Sequence, residues 1–337
     1  MIVDLGDVYP AEGPEKVARA IAQYSLEEAQ GRAAFDEGYD ALDTFFGPKG
    51  ELERREVLAA WLAGVHTDPA APIVMTYHML IARDAEGRLA GVRDAYITLD
   101  RAARRCVALL SHALVLPEHR RSGLAALLRA APVALARRAL AEAGLDGPGG
   151  GAAAGEAEKA EVLLAAEMEA VDPDDRDTAV RLFAYGRAGF SVIPPSVLPY
   201  AQPDFRDTAA LGVTPIPLPL MAVVRKVGEE ERGDISRDGA ASFLRHYQAA
   251  HVREVDPAHL APIRENALGR LAAFEGERVP LIRIPRGPAE IAGFAPLLRS
   301  VVMPLYPTAW RGKAPLDDPA RELERLCAAW STGEGGS

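Results

Sequence analysis

Cysteine is nearly absent from these 337 residues: Cys106 and Cys327 are the whole supply. Two thiols cannot staple a small secreted scaffold, so the chain must rely on an apolar core, and 49% hydrophobic residues provide one. No run approaches the ~20 apolar residues of a membrane-spanning helix, and no membrane partner is expected. Positive charge is scarce too. Lys and Arg number 38 against 48 Asp and Glu, a formal net charge of -10. A nucleic-acid face needs clustered cations, so no nucleic-acid partner is expected, although a local basic pocket for a small anion fits the balance. Asp4 and Asp7 stand where a secretion signal would place basic and then apolar residues, which makes a cytoplasmic protein the expectation. His246, His251 and His259 lack the tight spacing of a zinc site, and no metal is expected.

What is present reads as α/β. "MIVDL" has the composition of an edge strand, and helices fill most of residues 13–64. Residues 72–82 and 89–99 are rich in β-branched and aromatic side chains and flank the polar turn "DAEGR", which predicts a hairpin. A third strand spans Cys106 to Leu116, and a long helix runs from Gly123 to about Ala143. A Gly/Ala-rich loop follows, then a strand candidate at Glu161–Ala170 whose composition also permits a helix. A short helix stops near Gly189, and "FSVIPP" and "LPLMAVVRKV" supply the last strands. The charged joint "GEEERGDISRDG" divides the chain into residues 1–227 and a mainly helical extension, 228–337, whose "VPLIRIPRG" reads as irregular.

Chemistry concentrates where the third strand meets the long helix, in "LVLPEHRRSGLAALL". Pro117 ends the strand. Gly123 allows close backbone approach, and the helix it opens presents free N–H groups and a positive dipole end. Arg120 and Arg121 stand just before it. A pyrophosphate fits such a seam; so does a plain surface turn with two solvated arginines. The segment resembles the acyl-coenzyme-A motif of the GNAT acetyltransferase superfamily, Arg or Gln, two residues, Gly, one residue, Gly or Ala. Arg120, Gly123 and Ala125 fill it, after the Val115-Leu116-Pro117 strand ending. "AYGRAGF" resembles the family's Leu-Tyr-x-Lys-x-Gly-Phe segment, with Arg187 for the lysine and Ala184 for the leucine. The resemblance covers about residues 1–227.

The resemblance implies a mixed central sheet of GNAT type flanked by helices. It implies acetyl-CoA as acyl donor, with Arg120, Arg121, Ser122, Gly123, Leu124 and Ala125 on the pyrophosphate and backbone groups of Leu114, Val115 and Leu116 along the pantetheine arm. It implies Tyr185 as proton donor to the departing thiolate. The expected activity is direct N-acetyl transfer to an amine of a small molecule or protein. The alternative is an acyl-CoA-binding regulatory module of the same fold without turnover. The family's strand carboxylate is missing from Cys106–His112, which leaves two base candidates. His112 has a suitable ordinary pKa, and Glu167, with Glu169 on its face, can take a proton through water or attract a cationic acceptor. A homodimer is left open.

Overall fold

A computed structural model describes residues 2–49, 52–145, 160–169, 176–205, 212, 214, 217–252, 255–291 and 293–294. Its strands are β1 (Ser25–Glu28), β2 (Ile73–Arg83), β3 (Leu89–Asp100), β4 (Arg105–Val115), β5 (Glu161–Met168), β6 (Ser191–Val192), β7 (Tyr200–Gln202), β8 (Leu218–Lys226), β9 (Asp234–Ser236), β10 (Arg278–Pro280) and β11 (Ile282–Arg283). The helices are α1 (Pro14–Gln23), α2 (Gly31–Phe46), α3 (Arg55–Leu62), α4 (Leu124–Glu142), α5 (Arg176–Arg187), α6 (Arg237–His251) and α7 (Pro257–Ala273). The main sheet runs β1-β2-β3-β4-β5-β8-β6-β11, with β7 also on β8, and β9 and β10 form a separate pair. Only β4 and β5 pair in parallel among these strands, and α4 makes the crossover between them. The fold is a mixed α/β sheet of GNAT type, flanked by helices and followed by a mainly helical region.

Side-chain alternation divides the core into two layers. On β4, Cys106, Ala108 and Leu110 point to one face and Val107 and Leu109 to the other. The first face packs against α1, α4 and α5, through Val17, Leu127 and Leu182 among others. The second packs against α2, α3 and α6, through Phe35, Trp61 and Phe243. Each fully buried Leu or Phe contributes about 1.5–3 kcal/mol of hydrophobic free energy, so two covered faces hold the sheet firmly. Local chemistry fixes the element ends. Asp84 Oδ1 accepts the N–H groups of Glu86 (3.0 Å) and Arg88 (2.9 Å) and closes the β2–β3 turn. Ser236 caps α6 by accepting the Gly239 N–H (3.0 Å), and Pro257 occupies the first turn of α7.

Several details differ from the sequence reading. The N-terminal "MIVDL" is not a strand: Leu5–Asp7 form a short 3-10 turn, and the edge is taken by Ser25–Glu28, antiparallel to β2. Glu161–Met168 resolves as strand because β4 and β8 take its backbone groups on both sides. "VPLIRIPRG" contains β10 and β11, and β11 extends the main sheet by pairing with β6. Within the extension, "DPARELERLCAAW" reads as a helix, but it lies outside the described residues.

The chain beyond residue 227 returns to the sheet. Arg105, almost wholly buried, pairs with Glu161 (2.6 Å) and with Asp238 on α6 (2.6 Å). Gly186 on α5 lies against the Ile284–Pro285 backbone, where a Cβ would stand 2.2 Å from the Pro285 carbonyl oxygen. Alanine is favoured over glycine inside a helix by about 1 kcal/mol, so helix propensity alone predicts that Gly186→Ala stabilises. The contact predicts the reverse, a loss of about 1–3 kcal/mol in urea unfolding. Unchanged or raised stability would refute this packing.

Candidate functional site

The parallel pairing of β4 with β5 runs from Arg105↔Glu161 to Leu110↔Ala166 and stops, although β4 continues to Val115. The cause is visible one strand away. Arg93 pairs with Ala113 and Ala95 with Leu110, so Asp94 alone faces two β4 residues, Ser111 and His112. This bulge bends β4 away from β5 and re-aims His112. The His112 N–H donates to Asp94 Oδ1 (2.5 Å), and its ring Nδ1 lies 3.1 Å from Asp94 Oδ2. The Tyr77 hydroxyl donates to the same oxygen (2.9 Å). Asp94 is completely buried. Burial raises its carboxyl, but the charge and hydrogen bonds of His112, with the Arg93 charge, outweigh that and hold it below the usual value. A carboxylate on Nδ1 fixes that nitrogen as the N–H and leaves Nε2 as the imidazole's basic atom.

Nε2 stands 3.9 Å from Glu53 Oε2, in the turn before α3. That oxygen is buried and makes no hydrogen bond. Burial raises the Glu53 carboxyl, with the His112 charge opposing and the Asp94 charge adding. Glu167 lies across from it at the end of β5. Burial pushes its carboxyl up to about 8, against the Tyr200 hydroxyl that hydrogen-bonds Oε1 and with the help of the Glu53 charge. His112, Glu53 and Glu167 line one cavity of about 120 Å³. Glu169 lines it too, paired with Arg181 of α5 (3.1 Å). The other walls are Phe46, Tyr96, Leu109, Leu220 and, from α6, Tyr247, whose hydroxyl donates to the Ala165 carbonyl (3.3 Å). His251 closes the α6 side, and burial pushes it down to about 3.

The seam before α4 is a separate feature. Arg120 and Arg121 are exposed and make no ion pair among the described residues. Arg121 has φ 65 and Gly123 φ 94, both in the left-handed region, just ahead of the helix. The Ser122 hydroxyl donates to the His119 carbonyl (2.7 Å) and accepts the Leu124 N–H (3.3 Å). Ala125 is exposed, Leu124 is buried beneath it, and Leu114 and Val115 lie on the part of β4 that β5 leaves unpaired. The Leu116 N–H is taken by the Ala90 carbonyl (3.0 Å). A Cβ on Gly123 would lie 2.6 Å from the Lys16 carbonyl oxygen of α1, so the residue must be glycine for the protein's own packing.

Of the residues picked from sequence, His112, Glu167 and Glu169 meet in the cavity. Tyr185 does not line it: it is partly buried on α5, edge-on to Phe190 with ring centroids 4.8 Å apart. His78 pairs with Glu28 (2.5 Å) near the sheet edge, and His246 bonds Thr98 within the second core layer. Cys106 is buried, its thiol pushed up to about 12. Sequence reasoning missed Asp94, Glu53, Tyr200 and Tyr247. Asp94 had a signal, the "RD" pair inside an otherwise apolar strand. Glu53, in the charge run "ELERRE", had none. Arg93 is 1% exposed, and its Nε and Nη2 have no hydrogen bond.

No family model matches the chain, and no curated protein matches it. Solved structures of several GNAT-fold acetyltransferases are similar to it at low identity and partial coverage. Spermidine N-acetyltransferase from Vibrio cholerae, in complex with CoA and spermine, is 13% identical over 63% of this chain and 99% of that one, with a TM-score of 0.32. Nourseothricin acetyltransferase is 19% identical over 45% and 65%, with a TM-score of 0.25. The GCN5-related glucosamine N-acetyltransferase region of a fungal multi-domain GH3 beta-N-acetylglucosaminidase is 14% identical over 50% of this chain and 18% of that one, with a TM-score of 0.31.

The buried acids make stability depend on pH. Glu167 titrates near 8 when folded and near 4.5 in its ordinary state, so between those values the folded chain binds the extra proton. Stability therefore falls as pH rises through that window, by up to about 1.4 kcal/mol per pH unit for this group. Glu167→Gln is expected to flatten the slope in urea unfolding measured from pH 5 to 8. An equally steep slope in the variant would contradict the assignment.

Proposed function

We propose that the protein is an acyl-CoA-dependent N-acyltransferase that passes an acetyl group directly to an amine, with the cavity as acceptor site. The observation that carries the reading is the position of His112 and Glu167 on one cavity, at the point where β4 and β5 part. Residues 1–227 then form the transferase unit, and the extension supplies part of the acceptor wall through Tyr247 and His251.

The seam fits a pyrophosphate. Two exposed guanidinium groups, with no ion pair among the described residues, stand at a helix N-terminus and offer charge and backbone donors together. Among the described residues, no strand takes the backbone groups of β4 beyond Leu110 on the β5 side, which suits an amide-bearing arm. When bound, acetyl-CoA supplies the activated acyl group. His112, held by Asp94 through Nδ1, takes the proton of the attacking amine at Nε2. Glu167 faces the same space and keeps the amine near that nitrogen. Tyr185 is the proton donor toward the departing sulfur. Holding both reactants in one gap supplies much of the acceleration.

The test couples thiol release to a panel of amines. His112→Gln is expected to lower kcat by ~10²-fold while acetyl-CoA affinity in calorimetry stays the same. The Arg120→Ala, Arg121→Ala double variant is expected to weaken acetyl-CoA binding by ~10-fold and to flatten its salt dependence. Gly123→Val is a poor probe, because the new side chain meets Lys16 before any ligand. Coenzyme A binding without thiol release from any amine would assign the fold to binding without turnover. Unchanged affinity in the double variant would displace the cofactor from this seam.

A further inference from the structure

We propose that the cavity binds one primary ammonium group carrying a short apolar body, with Glu53 and Glu167 as its paired carboxylate anchors; this rests on the reading of the cavity as the acceptor site. The first argument is an unmet bond. The Glu53 side chain is 10% exposed, lines the cavity, and leaves Oε2 buried with no hydrogen bond. A buried carboxylate oxygen without a donor is costly, and an ammonium supplies three.

The second argument counts charge. Asp94 is satisfied by His112 and Tyr77, and Glu169 by Arg181. Glu53 and Glu167 are the remaining acids of the cavity, and the Glu53 charge helps to raise the Glu167 carboxyl. Among the described residues, the donors near them are the Tyr200 hydroxyl on Glu167, the backbone N–H of Glu53 itself, and the His112 ring, 3.9 Å from Glu53. Two carboxylates that cannot comfortably ionise together accept one cation between them. A second or third ammonium on the same molecule would meet Arg181, whose charge already offsets Glu169, or the aromatic and leucine walls. Those walls instead suit a hydrocarbon or aryl body.

The site also has a proton signature. Glu167 holds a proton up to about pH 8 without ligand, and burial raises Glu53 likewise. An arriving ammonium favours the ionised forms, so binding at pH 7 releases up to about one proton to the buffer. His251, held neutral by burial, and Tyr247, whose phenol burial raises well above its usual value, stay uncharged at that pH and do not offset it.

The experiment is calorimetry on the full chain without coenzyme A, at pH 7 in phosphate and in Tris. The probes are benzylammonium and n-butylammonium chlorides, with benzyl alcohol and spermidine as contrasts. The monoamines are expected to bind with Kd at or below about 1 mM and with a buffer-dependent heat showing proton release. Benzyl alcohol is expected to bind at least ~10-fold more weakly, and Glu53→Gln to cost the monoamines ~10-fold and reduce the released protons. Spermidine is expected to bind no more tightly than butylammonium. Equal binding of the alcohol, tighter binding of spermidine, or no monoamine binding would each overturn the proposal. Should Glu53→Gln fail to fold, the ammonium and alcohol comparison on the unaltered protein still decides. Thiol release with some other amine, but no monoamine binding, would sink this inference alone. Monoamine binding without any thiol release would sink only acyl transfer.

Discussion

One extra residue in β4 governs the site. Where Asp94 faces both Ser111 and His112, the strand cannot keep its register with β3 and its parallel contact with β5 together, and the contact with β5 is lost. The loss opens a gap through the middle of a sheet that is otherwise covered on both faces. The titratable groups of the cavity are arranged around that gap. β4 supplies the imidazole, β5 the Glu167 carboxylate, the turn before α3 a second carboxylate, and α6 the aromatic wall. The defect is stabilised by the group it exposes, because Asp94 bonds both the main chain and the ring of His112.

Placing so many acids in low dielectric sets their states apart. Asp94 has donors on both oxygens and stays ionised, whereas Glu53 and Glu167 face each other with few donors and are pushed toward the neutral form. The same functional group thus does two jobs at and beside one cavity. One carboxylate fixes a ring, and two form a cation trap that is weakly charged until it is filled. His251 and Cys106, which would otherwise be chemically attractive, are silenced by burial alone.

The layered α/β architecture was legible because period-2 alternation and the strand–seam–helix order survive in a single sequence. Strand against helix at Glu161–Met168 was not decided by composition; the partners β4 and β8 decided it. Half of the cavity was legible as well. His112 and Glu167 each carried a titratable group inside an apolar strand, which is an anomaly a reader can see. Glu53 and Tyr247 were hidden for opposite reasons: one sits in a run of charges where none stands out, the other on a helix face where an aromatic looks like ordinary packing. The edge strand was misassigned to the first residues because a short apolar run says nothing about which segment reaches a free sheet edge.

The contact between Gly123 and the Lys16 carbonyl bears on how such motifs are read. A glycine at the head of α4 is required whether or not anything binds there, since α1 occupies the space a side chain would need. Selection for folding alone would preserve it through any drift in ligand. The arginines are under no such packing constraint: both are exposed and make no ion pair among the described residues. In descendants of this chain, the arginines would record use of the seam, and the glycine only its architecture.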